Sequence, residues 1–348
     1  MRRLAVGAVF AVAVIAVLFA VSQGGPAQPL PGQPLRALGN AKGVVIGTAV
    51  REDVERKNRA YRELIAAQFQ SVTAENEMKW YVLQPEAGTF EFDTADRLVK
   101  LAREAGQAVR GHALVFHNQL PLWVGKLGPR GLRRAMRAHI EEVMRHYAGQ
   151  VSVWDVVNEA LLDDGRFRRS PFLDKLGPSY IGEAFRLARR ANPKARLYIN
   201  EIGAEGINDK SNRLYELVRD LKARGAPIDG VGFQTHFNLD GVPAGFLENL
   251  RRFEALGVEV AITEADVGLP VPPSAQQLEA QAVVYRQIVE TCLSVKACKS
   301  LTFWGFTDGR SWIPETQPGM GAATLLDEAL KPKPAFGAVQ RALGGAAA

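Results

Sequence analysis

Two glutamates stand directly behind apolar runs. Glu159 follows Val153 to Val157 and Asn158, and Glu264 follows Val258 to Thr263. Other polar residues recur at the same kind of position. Glu75-Asn76, with Lys79 just beyond, follows Ser71 to Ala74; His112 lies within Ala108 to Val115, and His117 and Gln119 follow it. Asn200-Glu201 follows Arg196 to Ile199, Gln234 and His236 end Gly230 to Gln234, and Asp266 lies beside Glu264. Trp304 ends Leu301 to Trp304, with Asp308 and Trp312 beyond. Burying polar groups unpaired is costly, so carboxylates, amides and imidazoles gathered at one end of seven runs mark a site rather than a core. Two carboxylates flanking a glycosidic bond can hydrolyse it: one gives a proton to the leaving oxygen and the other attacks the anomeric carbon. Amides and imidazoles bond sugar hydroxyls, and the indoles of Trp304 and Trp312 offer faces on which sugar rings stack.

The elements that must position these residues alternate along the chain. The seven apolar runs, preceded by Val44 to Ala49, read as eight buried parallel strands. Helical patterns lie between them at Val54 to Phe69, Thr94 to Ala105, Arg130 to Tyr147, Tyr180 to Ala191, Lys210 to Ala223, Gly245 to Leu256 and Ser274 to Leu293, with a last one at Pro334 to Leu343. In Arg130 to Tyr147 the apolar residues Leu132, Met136, Ile140, Val143 and Tyr147 form one face. Eight strand–helix units over about 300 residues predict a single (β/α)8 TIM barrel across 41–345, whose site lies at the C-terminal strand ends. Ile46-Gly47-Thr48-Ala49 lacks the Gly-rich phosphate turn that often follows the first strand of a doubly wound sheet.

A hydrophobic content of 47% with 23% charged residues fits a soluble globular chain. The net charge of +6 comes with no nucleic-acid reading motif, so no nucleic-acid partner is expected. Arg2-Arg3 followed by the uncharged stretch Leu4 to Val21 and by Ala20-Val21-Ser22 has a secretory layout, and residues 1–22 read as a signal peptide or an uncleaved membrane anchor. Either places the rest of the chain outside the cytoplasm, and only the anchor would bring a membrane contact. Residues 23–40, rich in Gly, Pro and Gln, read as a linker. Cys292 and Cys298, close together in an exported chain, suggest a disulfide.

Six stretches carry a resemblance. They are Val72-Thr73-Ala74-Glu75-Asn76-Glu77-Met78-Lys79-Trp80, Arg110-Gly111-His112-Ala113-Leu114-Val115-Phe116-His117, Trp154-Asp155-Val156-Val157-Asn158-Glu159-Ala160, Gly230-Val231-Gly232-Phe233-Gln234-Thr235-His236, Ile262-Thr263-Glu264 and Phe303-Trp304-Gly305-Phe306-Thr307-Asp308. In this order the chain resembles glycoside hydrolase family 10, best known for endo-β-1,4-xylanases, from about residue 43 to 343. The resemblance implies Glu159 as acid/base and Glu264 as nucleophile of a retaining enzyme, with xylan or xylo-oligosaccharides as partner. It implies that Asn158 bonds the 2-hydroxyl of the sugar being cleaved, that His236 contacts Glu264 and is oriented by Asp266, and that His112, Gln234 and Trp304 line that subsite. Glu75, Asn76, Lys79, Gln119 and Trp312 would hold the next sugar on the non-reducing side, where Gln119 and Trp312 would crowd a hydroxymethyl group. Some family members carry a cysteine pair just before the eighth strand, as at Cys292 and Cys298. No cofactor or metal is implied, and a monomer is expected.

The chain departs from the family pattern at three places. Phe116 stands where the family usually has Trp. Asn200-Glu201-Ile202-Gly203 replaces Asn-Asp-Tyr-Asn, and Ala265-Asp266-Val267-Gly268 lacks the usual Leu and basic residue. These changes keep open the same chemistry on short oligomers or β-glucan, beside a silent carbohydrate-binding barrel. Away from the motifs, Trp80 and Trp154 read as core, Asp155 as a buried carboxylate with a donor still to be found, His139 and His146 as surface or satisfied helical residues, and Glu201 as a solvated loop residue. His112 and His117 lack a third ligand at a metal-binding spacing.

Overall fold

Ser71-Val72-Thr73-Ala74 is buried at every position, and all but the first residue of Val45–Val50 is buried. Strands without polar alternation need cover on both faces, and parallel barrels supply it. The computed structural model describes residues 26–345 and has this architecture. Its barrel strands are β1 (Val45–Val50), β2 (Ser71–Ala74), β3 (Ala108–Phe116), β4 (Val153–Asn158), β5 (Arg196–Glu201), β6 (Gly230–Phe233), β7 (Glu259–Val267) and β8 (Cys298–Phe303). Each pairs in parallel with the next, and β8 closes the ring by pairing with both β7 and β1. The fold is a (β/α)8 TIM barrel.

The helices around it are α1 (Leu35–Lys42), α2 (Glu52–Lys57), α3 (Arg59–Gln68), α4 (Asp93–Glu104), α5 (Pro129–His146), α6 (Ser179–Ala191), α7 (Asp209–Ala223), α8 (Phe246–Ala255), α9 (Ala275–Leu293) and α10 (Pro334–Ala342). In α5 the expected face is the buried one, at Leu132, Met136, Ile140 and Val143. The single helix expected over Val54 to Phe69 is two, α2 and α3. Asn58 between them is extended, and its side chain accepts from Tyr61 N at 3.0 Å, so it caps α3 instead of continuing α2. Trp80 and Trp154 are core residues. Gly111 makes room for Trp154: a Cβ there would lie 2.2 Å from the indole ring. Cys292 and Cys298 form a disulfide between the end of α9 and the start of β8.

The linker expected over 23–40 is corrected where it is described. Leu35 and Leu38, three apart on α1, are buried. The Pro-rich segment before them is fastened by side chains: Gln340 Nε2 donates to Pro31 O and Gln33 O, and Ala27 N donates to Glu63 Oε2. Gly and Pro content signals an irregular backbone but does not distinguish a free tether from a strap held by neighbouring amides. The leader or anchor expected at 1–22 lies outside the described residues. Among the described residues, no helix is long and apolar enough to cross a membrane.

Gly111→Ala should therefore destabilise the barrel, because a methyl group driven into a rigid indole forces β3 away from β4, at a cost of about 1–3 kcal/mol. The urea midpoint of unfolding checks it, and an unchanged midpoint would show that the strands can give.

Candidate active site

Both glutamates stand at the C-terminal rim of the barrel. Glu264 is on β7, and Glu159 directly follows β4. Amide side chains from the neighbouring strands connect them. Asn200 at the end of β5 donates to Glu264 Oε1 at 2.6 Å and to Asn158 Oδ1 at 2.9 Å. Asn158 and Gln234 both donate to Glu159 Oε1, at 3.4 and 3.3 Å. Thr263 fixes the flip of Asn200 by donating to its Oδ1 at 2.7 Å.

Glu264 is almost fully buried, and His236 faces it with Nε2 3.3 Å from Oε2. The other ring nitrogen of His236 lies 2.9 Å from Asp266 Oδ1. Burial opposes charge on His236, but Asp266 and Glu264 outweigh it and raise its pKa to about 10. Burial also pushes Glu264 up, and it is overcome by the His236 hydrogen bond and by the charges of His112 and His236. Its carboxyl is thus held below the ordinary glutamate value. Asp266 accepts from Trp312 Nε1 at 2.8 Å, and the Trp312 ring lies 4.9 Å from that of His236.

Beneath this layer, Asp155 is the buried carboxylate expected, and its donors are Arg110 and His112. Arg110 Nε donates to Oδ2 at 3.1 Å, and His112 Nδ1 lies 3.0 Å from the same oxygen. The Trp304 ring meets His112 edge-on at 5.3 Å. On the other flank, Asn76 Oδ1 accepts from Lys79 Nζ and from Gln119 Nε2, both at 3.3 Å, while Asn76 Nδ2 reaches Glu75 Oε1 at 3.4 Å. Burial lowers the pKa of Lys79, opposed by the charges of Glu264, Glu75 and Glu159.

Glu159 is the more open of the two, with an 18% exposed side chain. Its backbone is left-handed at φ 52°, unusual for a residue with a Cβ. His117 Nδ1 lies 3.9 Å from Glu159 Oε2. Burial, then Arg168 and Lys210, push His117 down to about 4, so this neighbour is neutral.

The ten substrate-binding candidates fall into two connected groups: Glu75, Asn76, Lys79 and Gln119 in one, and His112, Asn158, Gln234, His236, Trp304 and Trp312 around Glu264 in the other. Trp312, expected with the first group, is bonded to the second through Asp266. Two expectations are corrected, for Glu201 and His139. Glu201 is fully buried and paired with Lys210 at 3.2 Å, because the barrel rim closes over the end of β5. His139 is buried, stacks on Trp80 at 4.0 Å, and is pushed down to about 3 by burial, with no hydrogen-bond partner among the described residues. His146 does find a partner, Asp96, at 2.8 Å. Sequence reasoning put Asn200 at a strand end but gave it no role, and it missed Lys210 and Arg110, which lie in a helix and inside a strand where only contacts reveal them. Among the described residues, no group of three or more His, Cys, Asp or Glu side chains is arranged to hold a metal ion.

Comparisons with known proteins place the chain among relatives of the same fold. The sequence profile of Glycosyl hydrolase family 10 matches residues 34–342. An endo-1,4-beta-xylanase of Agaricus bisporus is 43% identical over 272 residues, 78% of this chain and 82% of the relative. Endo-1,4-beta-xylanase B of Thermotoga neapolitana is 39% identical over 317 residues, 88% and 90% of the two chains. Among solved structures, xylanase 10B of Thermotoga petrophila RKU-1 in complex with xylobiose superposes with a TM-score of 0.87 at 38% identity, covering 92% of this chain and 98% of that one. With the matched profile spanning nearly all of the described barrel, the chain belongs to glycosyl hydrolase family 10.

Proposed function

We propose that the protein is a retaining endo-β-1,4-xylanase that acts outside the cell, as a monomer, on xylan or xylo-oligosaccharides. The observation that carries this reading is the asymmetry of the two carboxylates: Glu264 is buried and its pKa is lowered, while Glu159, at the same rim on another strand, is the more exposed. The xylobiose bound in the Thermotoga petrophila relative supports the substrate class. The Cys292–Cys298 bond suits the oxidising compartment to which a leader or anchor at 1–22 would deliver the chain.

In the first step Glu264 attacks the anomeric carbon while Glu159 gives its proton to the leaving oxygen. A covalent glycosyl-enzyme forms and the shortened chain departs. The negative charge of Glu264 is then consumed in the ester, so Glu159, now deprotonated, can take a proton from water, which attacks the same carbon and releases Glu264. Asn158 serves the 2-hydroxyl of the sugar at the cleavage point, and His112, Gln234 and Trp304 line the same position. Glu75, Asn76, Lys79 and Gln119 hold the preceding sugar. Gln119 and Trp312 crowd the place of a hydroxymethyl group, which favours xylose over glucose.

The substrate test is reducing-sugar release from xylan and from a soluble β-1,4-glucan by protein lacking residues 1–25; release from neither polymer would overturn the polymer reading. On xylan, Glu264→Ala should lower kcat by about four orders of magnitude or more while binding persists in equilibrium titration, and near-normal turnover would sink the nucleophile assignment. Glu159→Ala should lose far more kcat/KM on xylan than on a 2,4-dinitrophenyl β-xylobioside, whose leaving group needs no proton. Equal losses would count against the acid role. The acidic limb of the kcat/KM profile should lie below pH 4.5, the ordinary glutamate value, because Glu264 is lowered. Asp266→Asn removes the anion that most strongly raises the pKa of His236, so it should move that limb upward in pH.

A further inference from the structure

Glu159 is a residue with a Cβ in a left-handed backbone conformation, φ 52°. Such a conformation persists only where the surroundings over-determine it. Its own peptide is tied on both sides: Glu159 N donates to Asn200 O at 2.9 Å, and Arg168 Nε donates to Glu159 O at 3.2 Å. The loop that follows is tied within itself, by Arg168 N to Ala160 O and Leu162 N to Arg166 O, both at 2.8 Å, and two further fastenings come from an ion pair outside the hydrogen bonds that join the two carboxylates. Glu201 Oε2 accepts from Leu161 N at 3.1 Å, and Lys210 Nζ donates to Asp163 Oδ1 at 3.2 Å. Lys210 Nζ and Glu201 Oε1 are themselves 3.2 Å apart, with both side chains at most 1% exposed. The chain that leaves Glu159 is thus held two and four residues later by the two halves of one buried pair.

The pair sits at a place that a purely structural role would not favour. Lys210 is the second residue of α7, and a cation in the first turn of a helix opposes its dipole. Complete burial adds desolvation of both ions, and an apolar pair of similar volume often stabilises as well or better. The hydrogen bonds at Glu201 all come from donors: Lys210 Nζ and Ile202 N at Oε1, and Leu161 N at Oε2. These three donors hold both oxygens in place, while burial, and after it the nearby charge of Glu159, raises the Glu201 pKa to about 8 against the pull of Lys210 and Leu161 N.

We infer that Glu201 and Lys210 are positioning residues for Glu159: by pinning Leu161 and Asp163 they hold the proton donor toward the leaving oxygen. This rests on the assignment of Glu159 as the acid. An acid displaced from the leaving oxygen loses efficiency where protonation matters and little where it does not. The pair should therefore govern the dependence of rate on leaving group, which a merely structural role would leave unchanged.

The test uses the full chain and the double variant Glu201→Gln/Lys210→Met, which is uncharged and close in volume and leaves no lone buried ion. The amide oxygen of Gln can still accept from Leu161 N. The kcat/KM is measured on xylan and on a 2,4-dinitrophenyl β-xylobioside, with the thermal midpoint of each protein. We expect a loss of about tenfold or more on xylan against at most about threefold on the aryl glycoside, with the fold retained. Equal losses on both substrates, or no loss on either, would overturn the proposal. If the double variant does not fold, Lys210→Met alone, which releases Asp163, decides by the same comparison. Glu159→Ala is assayed beside them: absence of a leaving-group split in that variant would refute the acid assignment itself, whereas a split there without one in the pair variants refutes only the positioning role.

Discussion

A carboxylate as deeply enclosed as Glu264 stays ionised only because an imidazolium and an amide donor reach it. Without them burial would push its pKa up. Much of the rim follows from that requirement. His236 must remain charged, so Asp266 stands behind it; Asp266 must be held, so Trp312 bonds its second oxygen. Asn200 must present its amide nitrogen and not its oxygen to Glu264, so Thr263 takes the oxygen. The same interaction bears on stability. Because the folded pKa of His236 is raised to about 10, its contribution is complete below the ordinary value of 6.5 and is lost as pH rises toward 10.

The two carboxylates are supported in different ways. Glu264 lies within a nine-residue strand whose neighbours are buried, so its place is set by the ladder that closes the barrel. Glu159 lies one residue past its strand, where one last backbone bond to Asn200 O ends the pairing with β5, and its place is set by that bond and by contacts from β6 and its own loop. On the proposed assignment, the group that shuttles a proton needs access to water. A group that forms a bond to carbon needs rigidity. The division between strand and strand-end serves both demands.

Most of this arrangement was legible in the sequence because a parallel barrel makes function local. A polar residue that follows an apolar run must lie on one rim, so Glu75, Asn158, Glu159, Gln234 and Glu264 could be gathered without knowing a single distance. What stayed hidden was set by partners distant in the chain. Nothing near Glu201 tells that Lys210 will reach back from a helix, or that Arg110, inside an apolar strand, will be neutralised by Asp155 on the next. Asn58 sits inside a helical pattern, and its capping role depends on which of two local hydrogen bonds wins. The segment before α1 has the composition of a tether, and its attachment to Gln340 spans almost the whole length of the chain.

That attachment has a practical side. Residues 344 and 345 lie against Lys42 and Leu38 of α1, and α1 leads directly into the start of β1. The C-terminal end of the described chain therefore lies beside the helix that enters β1, at the rim opposite the one that carries the carboxylates. A wall tether, an extra module or an immobilising resin joined there would stand on the far side of the barrel from Glu159 and Glu264.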